Sequence, residues 1–349
     1  MKRLFIFMLL LFLFTLVACK SDDAAQPVEE PETEIEEEIV DPEETVFPYH
    51  APLTGLGSMV ELNQRIMAVM INNHNRARPQ SGLDQADIVY EILAEGWITR
   101  LVAFYHSQAP EVIGPVRSLR PYLIDLATGY DAIFAHAGGS NDAIAIVQKR
   151  GLPSLDEIYN SGGSFYRVNF RKAPHNLYTN MELLRKGAER RKYAQESNLP
   201  IIPFRQPDDV KLGDPAGWIE INYHSSYSVA YEYDPETESY TRYVQGEPHV
   251  DLETNKPLTM TNLLVIDAPH KVLDNEGRRE INLLNGGKGY LFQKGKVEEV
   301  DWQRIDGVIR PLKNGQEVGY YPGVTWVNVI PTQPGLERNV SYKATRNAE

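Results

Sequence analysis

The chain has 349 residues, 42% of them hydrophobic, and a single cysteine, Cys19. A formal charge of −13 disfavours nucleic acid as a partner, and one cysteine excludes disulfide staples and thiolate metal sites. The acidity is uneven: residues 1–46 carry twelve acids against three bases, leaving 36 acids and 32 bases for residues 47–349.

Lys2 and Arg3 precede a near-continuous apolar run over 4–14 that closes on Leu16-Val17-Ala18-Cys19. A charged start, a short apolar centre and a small residue at the exit predict a secretory signal, too short to cross roughly 30 Å of hydrocarbon. Cys19 stands where bacterial lipoprotein signals place the acylated residue. Residues 1–18 are therefore expected to be removed, leaving a palmitate-type anchor at Cys19 on the outer face of the cytoplasmic membrane. Residues 19–46, broken by Pro27, Pro31 and Pro42 and rich in Glu and Asp, read as a disordered acidic tether. The roughly 300 residues that follow exceed one usual core, so two domains are expected, 47–204 and 205–333, with a C-terminal tail over 334–349.

In the first domain, 66–71 is a short apolar run ending in Asn72-Asn73-His74-Asn75, a buried strand entering a loop. Segments 87–95 and 97–106 read as a hairpin about Glu95-Gly96. A helix over 84–94 competes, because Ser81 and Asp84 are spaced like a capping box. Pro121 and Gly129 bracket a helix. A strand over 133–137 leads through Gly138-Gly139-Ser140 into a helix ending at Gly151, and Thr179 with Glu182 opens another, to about 193. Alternating strands and helices predict a three-layer α/β sheet.

Ligands gather at the carboxyl ends of strands in such sheets, and three loops there hold candidate ligand-binding side chains. Arg117 and Arg120 flank Ser118-Leu119 just before a helix. His136, Ser140 and Asp142 surround a glycine pair whose amides suit an anion. Arg167, Arg171, His175 and Asn176 fill a third loop. Guanidinium forks would grip phosphate or carboxylate, with a histidine for proton transfer. The bland reading of each is a salt bridge, an N-cap or a backbone hydrogen bond. A metal site would have to be drawn from His74, His136 and His175 without ligand spacing, and no serine-nucleophile elbow is present.

After residue 205 the texture changes to short alternating segments over 218–223, 227–233, 239–244, 262–268, 280–284, 289–294, 296–302, 318–321 and 325–330. Asn-Gly and Lys-Gly pairs mark hairpin turns. An antiparallel barrel or sandwich is expected, making the whole chain α/β with a β-rich second half. His249 and Asp251 fall in a loop without an evident partner.

The segments 78–87, 114–121, 136–140, 173–180 and 323–331 resemble the YerB-type lipoproteins, the family of domain of unknown function 3048. The resemblance spans about 55–333. It implies an α/β half and a β-rich half on the outer face of the cytoplasmic membrane, and it brings no established activity to carry over. A fainter similarity over 87–120 is to the LytR-CpsA-Psr phosphotransferases. Pro115-Val116-Arg117-Ser118 lacks the acid with which that group helps hold magnesium.

Three functions are thus expected to compete: a lipoprotein binding an anionic envelope ligand such as a wall precursor, a phosphotransferase using the same arginines with a divalent metal, and a protein-interaction scaffold. Convergence of Arg117, Arg120, Arg167 and Arg171 without acids favours binding, convergence with acids favours the enzyme, and separate salt bridges favour the scaffold. The anchor is tested on its own: Cys19→Ala should release the protein into the soluble fraction, since acyl chains supply about 0.8 kcal/mol per buried methylene. Retention on membranes at high salt would contradict it.

Overall fold

The computed structural model describes residues 46–160, 162–196 and 198–348; the signal, Cys19 and nearly all of the tether lie outside them. Strand β1 (Met67–Asn72) is buried at every position, as an apolar run covered on both faces must be. β2 (Ile88–Glu95) and β3 (Ile98–Tyr105) form the antiparallel hairpin. The helical alternative shrinks to one 3-10 turn, Leu83–Gln85. α1 (Pro121–Gly129) opens on its proline. β4 (Ile133–His136) leads to α2 (Asn141–Arg150), capped by Ser140 and closed by left-handed Gly151, then to β5 (Ser154–Asp156). α3 (Met181–Arg190) is capped by Asn180 rather than Thr179. The Thr179 hydroxyl instead donates to the Ser164 carbonyl at 2.7 Å.

The later half supplies β6 (Trp218–His224), β7 (Tyr227–Asp234), β8 (Ser239–Val244), β9 (Asn262–Ala268), β10 (Gly287–Gln293), β11 (Lys296–Ile305), β12 (Val308–Lys313), β13 (Thr325–Pro331) and β14 (Val340–Lys343). These do not close into a barrel or sandwich of their own. A twelve-stranded sheet runs β12-β11-β10-β9-β13-β2-β3-β1-β4-β5, with short strands completing it. β13 pairs in parallel with both β9 and β2, so the change of texture near 205 marks no break in the sheet. The reason is visible in β9, where Leu263, Leu264, Val265 and Ile266 are all fully buried. A strand apolar on both faces belongs inside a covered sheet. Residues 340–343, expected within a tail, pair with β6 in a second, antiparallel sheet of β8-β7-β6-β14 and two short strands. The protein is mostly β, 42% strand and 13% helix, with mixed and antiparallel sheets.

Side chains alternate across the central sheet. Ala68, Met70, Ile88, Tyr90 and Ile92 pack with Leu123, Ile124 and Ala127 of α1 on one face. Val69, Val89, Val265 and Trp326 pack on the other with Ile219, Val229 and Tyr231 of the second sheet.

Between the two sheets lies a buried polar ring. Glu91 on β2 and Arg242 on β8 are both fully buried and ion-paired at 2.5 Å. The other Glu91 oxygen accepts from Tyr227 Oη at 2.6 Å, Thr99 Oγ1 at 2.8 Å and Asn73 Nδ2 at 3.1 Å. Arg242 lies 3.2 Å from His249 Nδ1; His249 Nε2 lies 2.7 Å from Gln80 Oε1; Gln80 Nε2 donates to Asn73 Oδ1 at 2.9 Å. An arginine only donates, so His249 Nδ1 accepts and its proton sits on Nε2. The ring Glu91–Arg242–His249–Gln80–Asn73 closes with every link satisfied. Arg242→Ala should cost about 3–5 kcal/mol in urea denaturation, because it strands a buried carboxylate. The double change Arg242→Met with Glu91→Leu should recover much of that loss; a loss as large as that of Arg242→Ala would show that the pair itself is needed.

Candidate functional site

β9, β13, β2, β1, β4 and β5 run in one direction, so their carboxyl ends share one edge of the sheet. The loop leaving β1 turns there on Asn72. Its Oδ1 accepts from the His74 amide at 3.0 Å, which fixes the amide orientation and leaves Nδ2 to donate to His175 Nδ1 at 2.9 Å. His74 Nδ1 in turn accepts from the Arg76 amide at 3.1 Å, capping the 3-10 turn Asn75–Ala77. Both imidazoles therefore carry their neutral-form proton on Nε2. The rings stack at 4.8 Å with 23° between planes, so the two N–H donors belong to adjacent rings of two partly exposed residues.

The charges around this pair are positive. Burial, then Arg76, Arg78 and Arg117, lower the His74 pKa; burial, then His74, Arg117, Arg76 and Arg171, lower that of His175. Among the described residues the side chains of Arg76, Arg78 and Arg117 have neither an ion-pair nor a hydrogen-bond partner. The nearest acid that acts on Arg117 is Glu95, and Glu95 is already engaged. It pairs with Arg100 at 2.9 Å and with Arg120. Burial raises the Glu95 carboxyl, but Arg100 and Arg120 outweigh it and hold it below its ordinary value. Like charges gathered without a counter-charge are costly unless an anion completes them.

Other expected ligand residues go elsewhere. Arg120 is spent on Glu95 and on the Leu119 carbonyl. His136 is fully buried, Nδ1–H donating to the Gly138 carbonyl at 2.8 Å and Nε2 accepting from Ser154 Oγ at 2.6 Å. The glycine cradle is filled from within, since the Gly138 amide donates to Asp156 Oδ1 at 2.8 Å. Ser140 caps α2, and Asp142 lies exposed in its first turn. Arg167 bridges Glu157 at 2.9 Å and Asn176 Oδ1 at 3.0 Å. Arg171 donates to the Ala77 carbonyl at 2.7 Å, the Pro79 carbonyl at 2.5 Å and Tyr178 Oη at 2.8 Å. It thus brackets Arg78 rather than facing solvent. Arg117 and His175 alone come together, joined by His74, Arg76 and Arg78. The alternation His74-x-Arg76-x-Arg78 directly after an apolar strand is the signal that sequence reasoning passed over. Among the described residues no three His, Cys, Asp or Glu side chains gather as a metal site.

Residues 53–194 match the description "Protein of unknown function (DUF3048) N-terminal domain" and residues 219–327 match its C-terminal domain. The chain belongs to the DUF3048 family. A relative from Bacillus subtilis (strain 168), YerB, named as a lipoprotein, is 39% identical over 322 residues, covering 91% of this chain and 92% of its own length. The crystal structure of the B. subtilis YerB protein superposes with a TM-score of 0.77, covering 84% of this chain and 99% of that one. Both DUF3048 segments meet in the one sheet, and the cationic loop lies within the N-terminal segment.

Histidines withdrawn from water, His106, His249 and the half-buried His270 among them, set the acid limit of this DUF3048 chain. Burial pushes His106 down and His270 to about 4; burial, then Arg242 and Arg78, push His249 well below its usual value. A lowered folded pKa means that the unfolded chain binds more protons below pH about 6.5, so stability is full at pH 7–8 and drains as pH falls. Each suppressed histidine costs about 1.4 kcal/mol per pH unit below that point. Urea midpoints should therefore fall from pH 7.5 to 5.5, and His249→Gln should flatten the slope. A midpoint indifferent to pH would contradict neutral buried histidines.

Proposed function

We propose that the protein is a lipid-anchored extracytoplasmic lipoprotein that binds an anionic ligand, phosphate-bearing or carboxylate, at the carboxyl edge of its central sheet. The observation that carries this reading is the pair of Nε2–H donors on His74 and His175, set beside three guanidinium groups that have no hydrogen-bond or ion-pair partner among the described residues. Arg117 supplies the fork, the imidazoles supply aimed hydrogen bonds, and Arg76 supplies long-range attraction. The lipoprotein part is supported by Leu16-Val17-Ala18-Cys19 and by the similarity to YerB. An envelope location makes an anionic wall precursor or wall polymer the natural ligand class.

The phosphotransferase alternative has less support. Its metal would need acids beside these donors, whereas Glu95 is neutralised by two arginines and among the described residues no acid acts on His74 or His175. The scaffold reading accounts for Arg120, Arg167 and Arg171, each held in its own intramolecular contacts, but leaves Arg117 and the histidine pair unexplained.

Titration calorimetry of the full chain in neutral detergent tests the site with pyrophosphate and with sulfate. Arg117→Ala and His175→Ala should each weaken pyrophosphate binding by about ten- to a hundredfold, the equivalent of a charged hydrogen bond of about 1.5–3 kcal/mol, with the melting temperature nearly unchanged. Sulfate keeps a fixed charge near neutral pH, so its affinity should rise as pH falls below 6.5 and the two imidazoles protonate, and level off above it. Affinity that ignores both substitutions would remove these residues from the site.

A further inference from the structure

Beside His74 lies a cavity of about 270 Å³ between the β2–β3 turn and the β6–β7 turn, lined by His74, Arg78, Trp97, Thr99, Ser226 and Tyr227 among others. Most of its polar atoms are already committed. Tyr227 Oη and Thr99 Oγ1 both donate to Glu91, and Ser226 Oγ is 2.8 Å from His224 Nδ1. Trp97 is stacked on the His224 ring at 4.7 Å, with the Arg279 guanidinium 5.0 Å from its centroid. It serves as a wall rather than an open platform for a sugar ring.

The charged group left uncommitted there is Arg78. The Arg78 guanidinium sits 5.3 Å from the centre of the Tyr227 ring and has no hydrogen-bond partner among the described residues, and its Nη1 is shielded from bulk water. A cation over an aromatic face is retained, yet its five N–H groups still seek acceptors. Its backbone is held on both sides by Arg171, which grips the carbonyls of Ala77 and Pro79. Arg171 is thus a positioning residue for Arg78. The carboxylate beneath the Tyr227 and Thr99 hydroxyls, Glu91, is saturated by Arg242, Tyr227, Thr99 and Asn73, so it cannot turn to Arg78.

We propose that the groove around Arg78 is a second anion subsite, joined through His74 to the His175–Arg117 cluster, so that the ligand is a polyanion carrying phosphate groups at two or more positions along its length. This rests on the anion-binding reading above and narrows its ligand class. One isolated anion would satisfy His74, His175 and Arg117 and leave the Arg78 donors unmet. A second phosphate on the same ligand meets them without a second association cost, because the first contact has already supplied the effective concentration.

The test compares orthophosphate, pyrophosphate and long-chain polyphosphate by titration calorimetry on the full chain in neutral detergent. Wild type should bind pyrophosphate and polyphosphate at least about tenfold tighter than orthophosphate, as one extra charged contact supplies. Arg78→Ala should erase that advantage, weakening pyrophosphate and polyphosphate about tenfold more than orthophosphate, and Arg78→Lys should restore part of it. Asn75→Asp, an exposed change at the groove wall that leaves the fold untouched, should erase the advantage by repulsion even if Arg78→Ala is poorly folded. An advantage that survives both Arg78→Ala and Asn75→Asp would overturn the second subsite while the single-anion site stands. Failure of all three probes to bind wild type would overturn both readings together.

Discussion

The buried pair of Glu91 and Arg242 is the constraint on which the rest of the molecule turns. Two charges withdrawn completely from water are tolerated only when their remaining lone pairs and protons are matched. Matching all but the Arg242 Nε proton, which is buried without a partner, takes Asn73 from the loop after β1, Gln80 from the same loop, Thr99 from β3, Tyr227 from β7 and His249 from the loop after β8. Those residues belong to both sheets and to both family segments. Trp326 closes the remaining face of the guanidinium, 5.0 Å from its centre. The ring therefore fixes how the second sheet lies on the first. Because Asn73 and Gln80 bracket the stretch from His74 to Pro79, it also sets where the cationic loop stands.

That placement explains why cations can be concentrated at the carboxyl edge. A loop tied at both ends to a buried network cannot relax to separate its charges, so His74 and His175, whose proton affinity burial already lowers, lose more of it to the neighbouring arginines. The local field is stored rather than discharged into a salt bridge. Glu95 shows the alternative outcome one strand away: where an acid is available, Arg100 and Arg120 close on it and the site is lost. Arg117 lies between the two regimes, close enough to Glu95 to feel it and to His74 and His175 to act with them.

Much of the local structure was legible in the chain. The hairpin of β2 and β3, the proline-opened α1, the Ser140 cap of α2 and most of the later strands follow from turn chemistry and alternation. The fusion of both halves in one sheet was not, although the unbroken apolar run of β9 carries that information once it is taken as a strand buried on both faces. Arginine roles were the least legible. Arg171 is committed to carbonyls more than ninety positions away in sequence, and Arg120 to an acid twenty-five away; no local spacing encodes either. His136 and the glycine pair failed for a related reason, since their anion partner is the protein's own Asp156.

The account stands most directly on the protonation of two rings. Long-range proton–nitrogen NMR spectra of the imidazoles, recorded at pH 7.5 with and without pyrophosphate, read it without any substitution. Both His74 and His175 should show the Nε2–H tautomer in the free protein, and both Nε2 signals should move on addition of pyrophosphate. Nδ1–H tautomers, or Nε2 signals that stay in place at saturating pyrophosphate, would contradict it.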